Sequence, residues 1–452
     1  MSDQSELPPP VKIAIVGGGI AGLTLACAFH HEINKNGANV AVTVYESARQ
    51  FGEIGAGVSF GPNAQRALRM VGCGSALDNV AGPVTSDGGD TWFEFRGGEE
   101  KSRGDRFAKV EGTDAARGNV HRADFLNQLI EKIPRDVARF RHRATRYVPR
   151  PQGGVTLHFS PRDDTGEEIE PVEVDLVVCC DGIKSPLRKS MYQRLGIDVG
   201  QQRCVYSEWI AWRGLVRREK FVEAFGPDAK DKMMHCGHGR HLLHFPVRNG
   251  ELINIVGFVH DGRHERVGTH EGPWSEPRPA EEMMGDFESF NEPCRTLLSA
   301  IESASIWGIF KLPLIETVVD DQVVLIGDAA HATTPHQGSG AGAAVEDALF
   351  LSRLVSHPTV SLAPVGSERG RAIRTALRVY ESCRQPRGQR IQSTSDEAGR
   401  LYEFLDPDKG DNLVEIKRDL ESRMKWIWEY DTEREVANAL DALDKELAGR
   451  AR

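Results

Sequence analysis

The chain has 452 residues, too many for one ordinary core, and calls for two interleaved domains or one large domain with additions. Its 40% hydrophobic and 27% charged residues are a globular balance, and a net charge of −10 argues against a nucleic-acid or anionic-membrane partner, since both reward a basic face. Eight cysteines, at 27, 73, 179, 180, 204, 236, 294 and 383, form no C-x-x-C pair and no zinc-finger spacing, so they are expected to be reduced thiols rather than a disulfide framework.

In chain order, Met1 to Pro10 is polar and Pro-rich, without the apolar core of a signal peptide or the Arg-rich pattern of a transit peptide. No apolar run approaches transmembrane length, and the expected location is the cytosol. Val11–Val16 is a β-type run, broken by Gly17-Gly18-Gly19. Ile20–His30 then reads as a helix, and Val40–Tyr45 as a second strand ending at Glu46. That order is a parallel βαβ unit.

Pro62–Val71 and His121–Ile133 read as helices. Thr91–Phe95, Thr156–Phe159 and Val172–Cys180 read as strands. Gly97–Asp114 is charged and Gly-containing, as a mobile loop would be, and Pro149–Gly154 is a turn. From Gln202 to Val259 the β signal dominates, in Ile210–Val216, His241–Val247 and Leu252–Val259. Asp261–Pro279 is a polar linker and Glu281–Ala300 a helix. Val323–Ile326 is a strand and Ala341–Leu354 a helix. His357–Gly370 is a loop, and Ala372–Glu446 is largely helical.

The expected class is α/β. A discontinuous Rossmann-like nucleotide-binding domain would comprise residues 1–80, 116–198 and 313–400. A β-rich substrate domain would be inserted at 199–312, with a strand and loop from 81–115, and a helical C-terminal segment would span 401–452.

Gly17-Gly18-Gly19-Ile20-Ala21-Gly22 is a G-x-G-x-x-G turn between a strand and a helix, with Glu46 closing the next strand. The glycines Gly17, Gly19 and Gly22 let backbone N–H groups approach a pyrophosphate at a helix N-terminus, and Glu46 suits ribose hydroxyls. This motif alone leaves FAD and NAD undivided.

The second motif starts where Val323–Ile326 runs into Gly327-Asp328. It continues through Pro335 and His336 to Gly340-Ala341-Gly342, where a helix begins. Glycines before a helix start gather backbone donors beside a positive dipole end, and Asp328 at a strand end can accept from a polyol. A flavin needs both.

With the middle "DG" motif, Cys180-Asp181-Gly182-Ile183-Lys184-Ser185-Pro186-Leu187-Arg188, the sequence resembles the class A flavoprotein aromatic hydroxylases. These are single-component enzymes that include para-hydroxybenzoate hydroxylase and salicylate hydroxylase. Gly52–Val58, Gly61–Ala64, His121–Phe125 and Trp426–Asp431 look most like the salicylate hydroxylase branch. The resemblance implies an FAD enzyme that uses NADH or NADPH and O2 to hydroxylate a phenolic substrate through a C4a-hydroperoxyflavin, as a monomer or homodimer, with no metal.

It implies that Glu46 holds the adenosine ribose, that Arg122 contacts FAD, and that Asp328 binds the ribityl–pyrophosphate region. Gly57, Gly340, Ala341 and Gly342 would lie against the flavin ring, and Asp181 would serve FAD and nicotinamide together. Such chemistry needs the protein to position the ring, assist deprotonation and exclude water.

Strand alternation puts His241, Leu243 and Phe245 on one side and Leu242 and His244 on the other. Either histidine is a candidate to bind a phenol or carboxylate, or to move its proton, against a surface or hydrogen-bonded strand histidine. Arg213, on the neighbouring strand, is a candidate for a substrate carboxylate or phenolate, against a structural salt bridge. His235 and His238 sit in an expected Gly-rich turn. Phe245 and Pro335 are expected to touch substrate.

Salicylate, giving catechol and CO2, is the favoured substrate. Dearomatising hydroxylation of a polyketide phenol is the alternative, and a flavin oxidase or a flavin-binding regulator are remoter ones.

Overall fold

The computed structural model describes residues 7–52, 57–81, 91–102, 104–113, 118–162, 165–198, 203–261 and 273–449. The resemblance segment at 53–56, most of the polar linker at 261–279, parts of the expected loop at 97–114 and the first six residues lie outside them.

The apolar run Val11–Val16 is central in a six-stranded sheet, parallel to Leu176–Cys179 on one side and Val40–Tyr45 on the other. The full order is Val319–Asp320, Val323–Leu325, Leu176–Cys179, Val11–Val16, Val40–Tyr45 and Ala138–Arg139, with only Val319–Asp320 antiparallel. Strands covered on both faces need near-continuous apolar sequence, and Leu176–Cys179 is buried throughout. Helix Ile20–Asn36 runs well beyond its expected end at His30 and stops at Gly37, whose φ of +66 is the left-handed cap glycine tolerates. It packs along helix Gly340–Ser356.

The second sheet has eight strands in the order Ser275–Arg278, Ala304–Lys311, Val205–Arg217, Leu252–His260, Arg240–Val247, Met233–Gly237, Thr91–Gly97 and Arg106–Glu111. Alternation sorts its residues. Ile210, Trp212, Leu242 and Ile255 pack under the helices Arg218–Phe225, Ala280–Asp286 and Glu292–Ser299, whereas Trp209, Ala211 and Phe258 face the other way. A ribbon of Gly57–Ser59 with Asn119–His121 and a small sheet of Val172–Val174, Val155–Phe159 and Ala144–Pro149 complete the β-structure among the described residues.

Several expectations need correcting. Part of the expected loop at 97–114 is the edge strand Arg106–Glu111, because Phe95 and Ala108 alternate into a shared core that outweighs its charge. Val172–Cys180 is two strands in different sheets, parted at Asp175. His235 stands on strand Met233–Gly237 rather than in a turn; only His238 is in the turn. Glu281–Ala300 breaks into two helices, because Asn291 caps the second by accepting from the Cys294 amide at 3.3 Å. The loop expected at 357–370 contains Pro358–Ser361 and the start of a 36-residue helix, Ser367–Tyr402.

Candidate active site

The three glycine-bearing motifs converge on one cavity of about 710 Å³. Gly17 has φ +105, and a Cβ there would stand 2.4 Å from the Cys180 carbonyl oxygen, so the first turn can pass the middle motif only as glycine. At Gly22 a Cβ would meet the Gly17 oxygen at 1.9 Å. Gly19 differs: a Cβ would touch nothing within 4 Å, because this residue opens onto the cavity. Glu46 is pinned beside it, with Oε2 accepting from the Gly18 amide and Oε1 from the Ala48 amide, both at 2.7 Å.

The middle motif is held by its own polar groups. Ser185 Oγ caps helix Pro186–Leu195 by accepting from the Arg188 amide at 2.9 Å. The Arg188 guanidinium donates to the Ala329 and Ile183 carbonyls at 2.9 and 2.5 Å, tying this loop to the third motif. Asp181 Oδ2 accepts from the Leu187 amide at 3.3 Å, while Oδ1 has no protein partner. Burial holds this carboxyl above the ordinary carboxylate range.

Asp328 is exposed and lines the cavity, as do Arg122 and the start of helix Gly340–Ser356 at Gly340 and Ala341. Gly342 faces away, its Cβ position 3.0 Å from Ala64 where two helices meet. Bare glycine backbone at a helix N-terminus, a pinned glutamate, an acceptor on Asp181 without a protein donor and an exposed aspartate fit the pyrophosphate, ribose and polyol of a flavin dinucleotide.

Beneath the third motif lies a buried charge network. Asp347 accepts from His331 Nε2 at 2.6 Å, the Gly327 amide at 3.0 Å and Arg384 Nε at 2.9 Å. Glu346 is bridged by Arg384 at 2.8 Å and by Arg387 at 2.7 Å, and accepts from Asn63 at 2.7 Å. Burial alone would raise both carboxyls, but the facing cations hold Glu346 low and Asp347 well below the usual range. His331 is desolvated too, yet Asp347 raises it. The network locks helix Gly340–Ser356 to Ser367–Tyr402. Adjacent acids on one helix facing arginines three apart on another are its only trace in the sequence.

The other end of the cavity is apolar. Trp92, Phe93, Met234, Leu243, Phe245 and Phe258 line it, and Pro335 closes it beside the third motif. Phe245 packs so tightly on Gly57 that a Cβ there would fall 2.6 Å from its ring. Arg213 lines the same end, over the face of Trp307 at 4.7 Å. Its Nε has no hydrogen-bond partner, and among the described residues no acidic side chain pairs with it. Burial first, and then the neighbouring Arg122, push this guanidinium down to about 10.

Alternation holds for the histidines, but the cavity does not reach them. His244 shares the helix-covered face with Leu242; its Nε2 is 3.2 Å from Nε2 of His235, and Phe221 and Phe225 pack on it. His241 is on the cavity side of the sheet, but fully buried behind Phe258 and His336, with Nδ1 2.8 Å from Glu403 Oε1. Burial pushes His241 down to about 3 and His244 down to about 4. Of the three expected catalytic residues, only Arg213 is among the described residues lining the cavity. Glu403 was not expected, since nothing local marks a glutamate just past a helix as a partner for residue 241. Trp426, Trp428 and Tyr430 dock the C-terminal segment: Arg387 lies 3.7 Å over Tyr430, and Trp428 meets Trp92 edge-on.

Residues 10–395 match the FAD binding domain family. The chain is 37% identical over 446 residues to a salicylate hydroxylase of Pseudomonas putida, covering 97% of this chain and 96% of that one. It is 33% identical over 450 residues to a 6-methylsalicylate 1-monooxygenase of Aspergillus terreus, covering 97% and 95%. A solved salicylate hydroxylase substrate complex superposes with a TM-score of 0.82 at 32% identity, over 95% of this chain and 98% of that one. A Klebsiella pneumoniae protein solved with FAD and uric acid shares the fold, with a TM-score of 0.69 at 23% identity, over 96% of both chains.

Proposed function

The chain belongs to the FAD binding domain family and is an FAD-dependent aromatic monooxygenase of the salicylate hydroxylase type, and from that premise we propose that its substrate is an ortho-hydroxy aromatic acid, salicylate first. Arg213 carries this reading. A half-buried guanidinium that lines the cavity without an acidic partner among the described residues supports an anionic ligand, because a partly desolvated cation is stabilised most by an anion that meets it.

The two ends of the cavity divide the work. Gly17, Gly19, Glu46, Arg122, Asp181 and Asp328 would hold the dinucleotide, and the helix start at Gly340 would offer it backbone donors. FAD bound there would supply the redox chemistry that couples nicotinamide oxidation to oxygen insertion. Arg213 holds the substrate carboxylate and so fixes which ring carbon faces the flavin. Trp92, Phe93, Phe245 and Phe258 enclose the ring and exclude water. Hydroxylation at the carboxylated carbon expels CO2 and restores aromaticity. Salicylate, NADH, O2 and two protons then give catechol, CO2, NAD+ and water.

The relative that acts on 6-methylsalicylate supports the wider class, in which the ring bears a further substituent. The test is aerobic consumption of NADH and of NADPH by the purified yellow protein, with and without salicylate, with catechol measured in the same tube. Substrate-dependent consumption with matching catechol supports the reading. Consumption without catechol rejects salicylate and turns the search to phenols whose substituent stays on the ring.

A further inference from the structure

Five side chains from four stretches of fold and the end of a fifth close a ring behind the apolar wall. Trp209 Nε1 donates to Glu403 Oε2 at 2.8 Å. Glu403 Oε1 meets His241 Nδ1 at 2.8 Å. The His241 ring stacks on Phe258 at 4.7 Å and 18°. Phe258 meets His336 at 4.8 Å, and His336 returns to Trp209 at 4.9 Å. Phe258 and His336 line the cavity; among the described lining residues Trp209, His241 and Glu403 do not appear. His336 also seats in a notch on helix Ser367–Tyr402, where a Cβ on Gly399 would fall 2.5 Å from its ring.

Only two links of this ring are directional: the hydrogen bonds made by Glu403. Ring stacking fixes distance but lets a ring slide or turn, whereas a hydrogen bond fixes direction as well. We propose that Glu403 and His241 are positioning residues for oxygen transfer: they orient Phe258 and the turn Pro335–Gln337, the two wall elements against which the substrate ring rests. The proposal rests on the cavity being the site of hydroxylation.

The state of the pair fits the role. Burial raises Glu403 to about 8 and lowers His241 to about 3, so near neutral pH the two share one proton and carry no net charge. A neutral pair keeps its hydrogen bonds without drawing water into the wall. The charged or titratable groups facing Glu403 are Arg240, Arg400 and His260, which favour its ionised form but are outweighed by burial; His336, Tyr402 and Cys236 face the pair from the remaining sides.

The experiment compares holoenzymes of the wild type, E403L, E403Q, F258L and E403L/F258L. It reads product formed per nicotinamide consumed, H2O2 released, FAD content, and substrate affinity from the flavin absorbance. E403L is expected to keep FAD but to lower product per nicotinamide at least fivefold, with the balance appearing as H2O2. E403Q, whose amide can both accept from Trp209 and donate to His241, is expected to keep coupling within twofold of wild type. It should also keep it above pH 8, where wild type falls. E403L/F258L is expected to be no worse than F258L, since both act through the same ring.

E403L coupled as well as wild type, or effects that add in the double variant, would overturn the proposal. If E403L fails to fold, H241F, which keeps a ring but loses the bond to Glu403, takes its place with the same expectations. A wild type that forms no product from any ortho-hydroxy acid would count instead against the function proposed for the cavity.

Discussion

Arg213 lies across the face of Trp307, 4.7 Å from its centre, in the cavity wall, and no carboxylate among the described residues pairs with it. The stack supports the guanidinium plane but leaves its N–H groups to be met by a ligand. Replacing Arg213 with Met should weaken salicylate binding about 10- to 100-fold, the effect of losing one or two charge-assisted hydrogen bonds of ~1.5–3 kcal/mol in total. Phenol, which lacks the carboxylate, should change much less. Titration of the flavin absorbance with both ligands checks this; equal losses would place Arg213 against the flavin rather than the substrate.

Gly17→Ala tests the dinucleotide end. The new Cβ would stand 2.4 Å from the Cys180 oxygen at φ +105, so both the turn and the strand behind it must move. The variant is expected to purify largely colourless, with less FAD per chain and a lower melting temperature. Full FAD content would show that this turn is not what receives the cofactor.

Arg384→Met tests the network under the flavin site. Arg384 faces both Glu346 and Asp347, and removing it leaves two buried carboxylates short of a cation. The expected cost is on the order of 3–5 kcal/mol. Because Asp347 is held well below the usual range, the stability that it contributes is present above the ordinary carboxylate value and is lost as pH falls from that value through the lower value of the folded state. Denaturant unfolding of wild type and variant at neutral pH and at pH below the ordinary carboxylate value checks both points: the gap between the two curves should narrow only in the acid set.

The strand–turn–helix at Gly17 and the Gly327–Gly342 run were legible because glycine spacing reports what a backbone must do locally, and the structure brings those stretches to one cavity. The alternation of Arg240–Val247 also gave the faces correctly. It did not show which part of a face the cavity occupies. Leu243 and Phe245 reach it, and His241, two residues before Leu243, is sealed off by Phe258 and His336 and bonded instead to Glu403, 162 positions away. Charged Arg106–Glu111 looked like loop because its partner strand, not its composition, makes it a strand. Such features depend on pairing across long sequence distances, which periodicity does not record.

Glu403 supplies a pH signature. Its carboxyl is raised to about 8 in the folded chain, against about 4.3 when unfolded. The folded state therefore binds its proton more tightly, so this group favours folding most at low pH and its contribution declines as pH rises from about 4.3 to about 8. E403Q removes the titration and should flatten the fall in melting temperature over that window. An unchanged slope would mean that Glu403 is already ionised in the folded protein.

The central claim is that this cavity transfers oxygen to an ortho-hydroxy aromatic acid held by Arg213. The most direct test supplies 18O2 to the holoenzyme with salicylate carrying 13C in its carboxyl group, and follows catechol, 13CO2 and nicotinamide oxidation together. The account predicts catechol with one 18O atom, in step with 13CO2 and with nicotinamide consumed, and loss of that coupling in R213M. Nicotinamide oxidation that yields only H2O2, or catechol without the label, would contradict it.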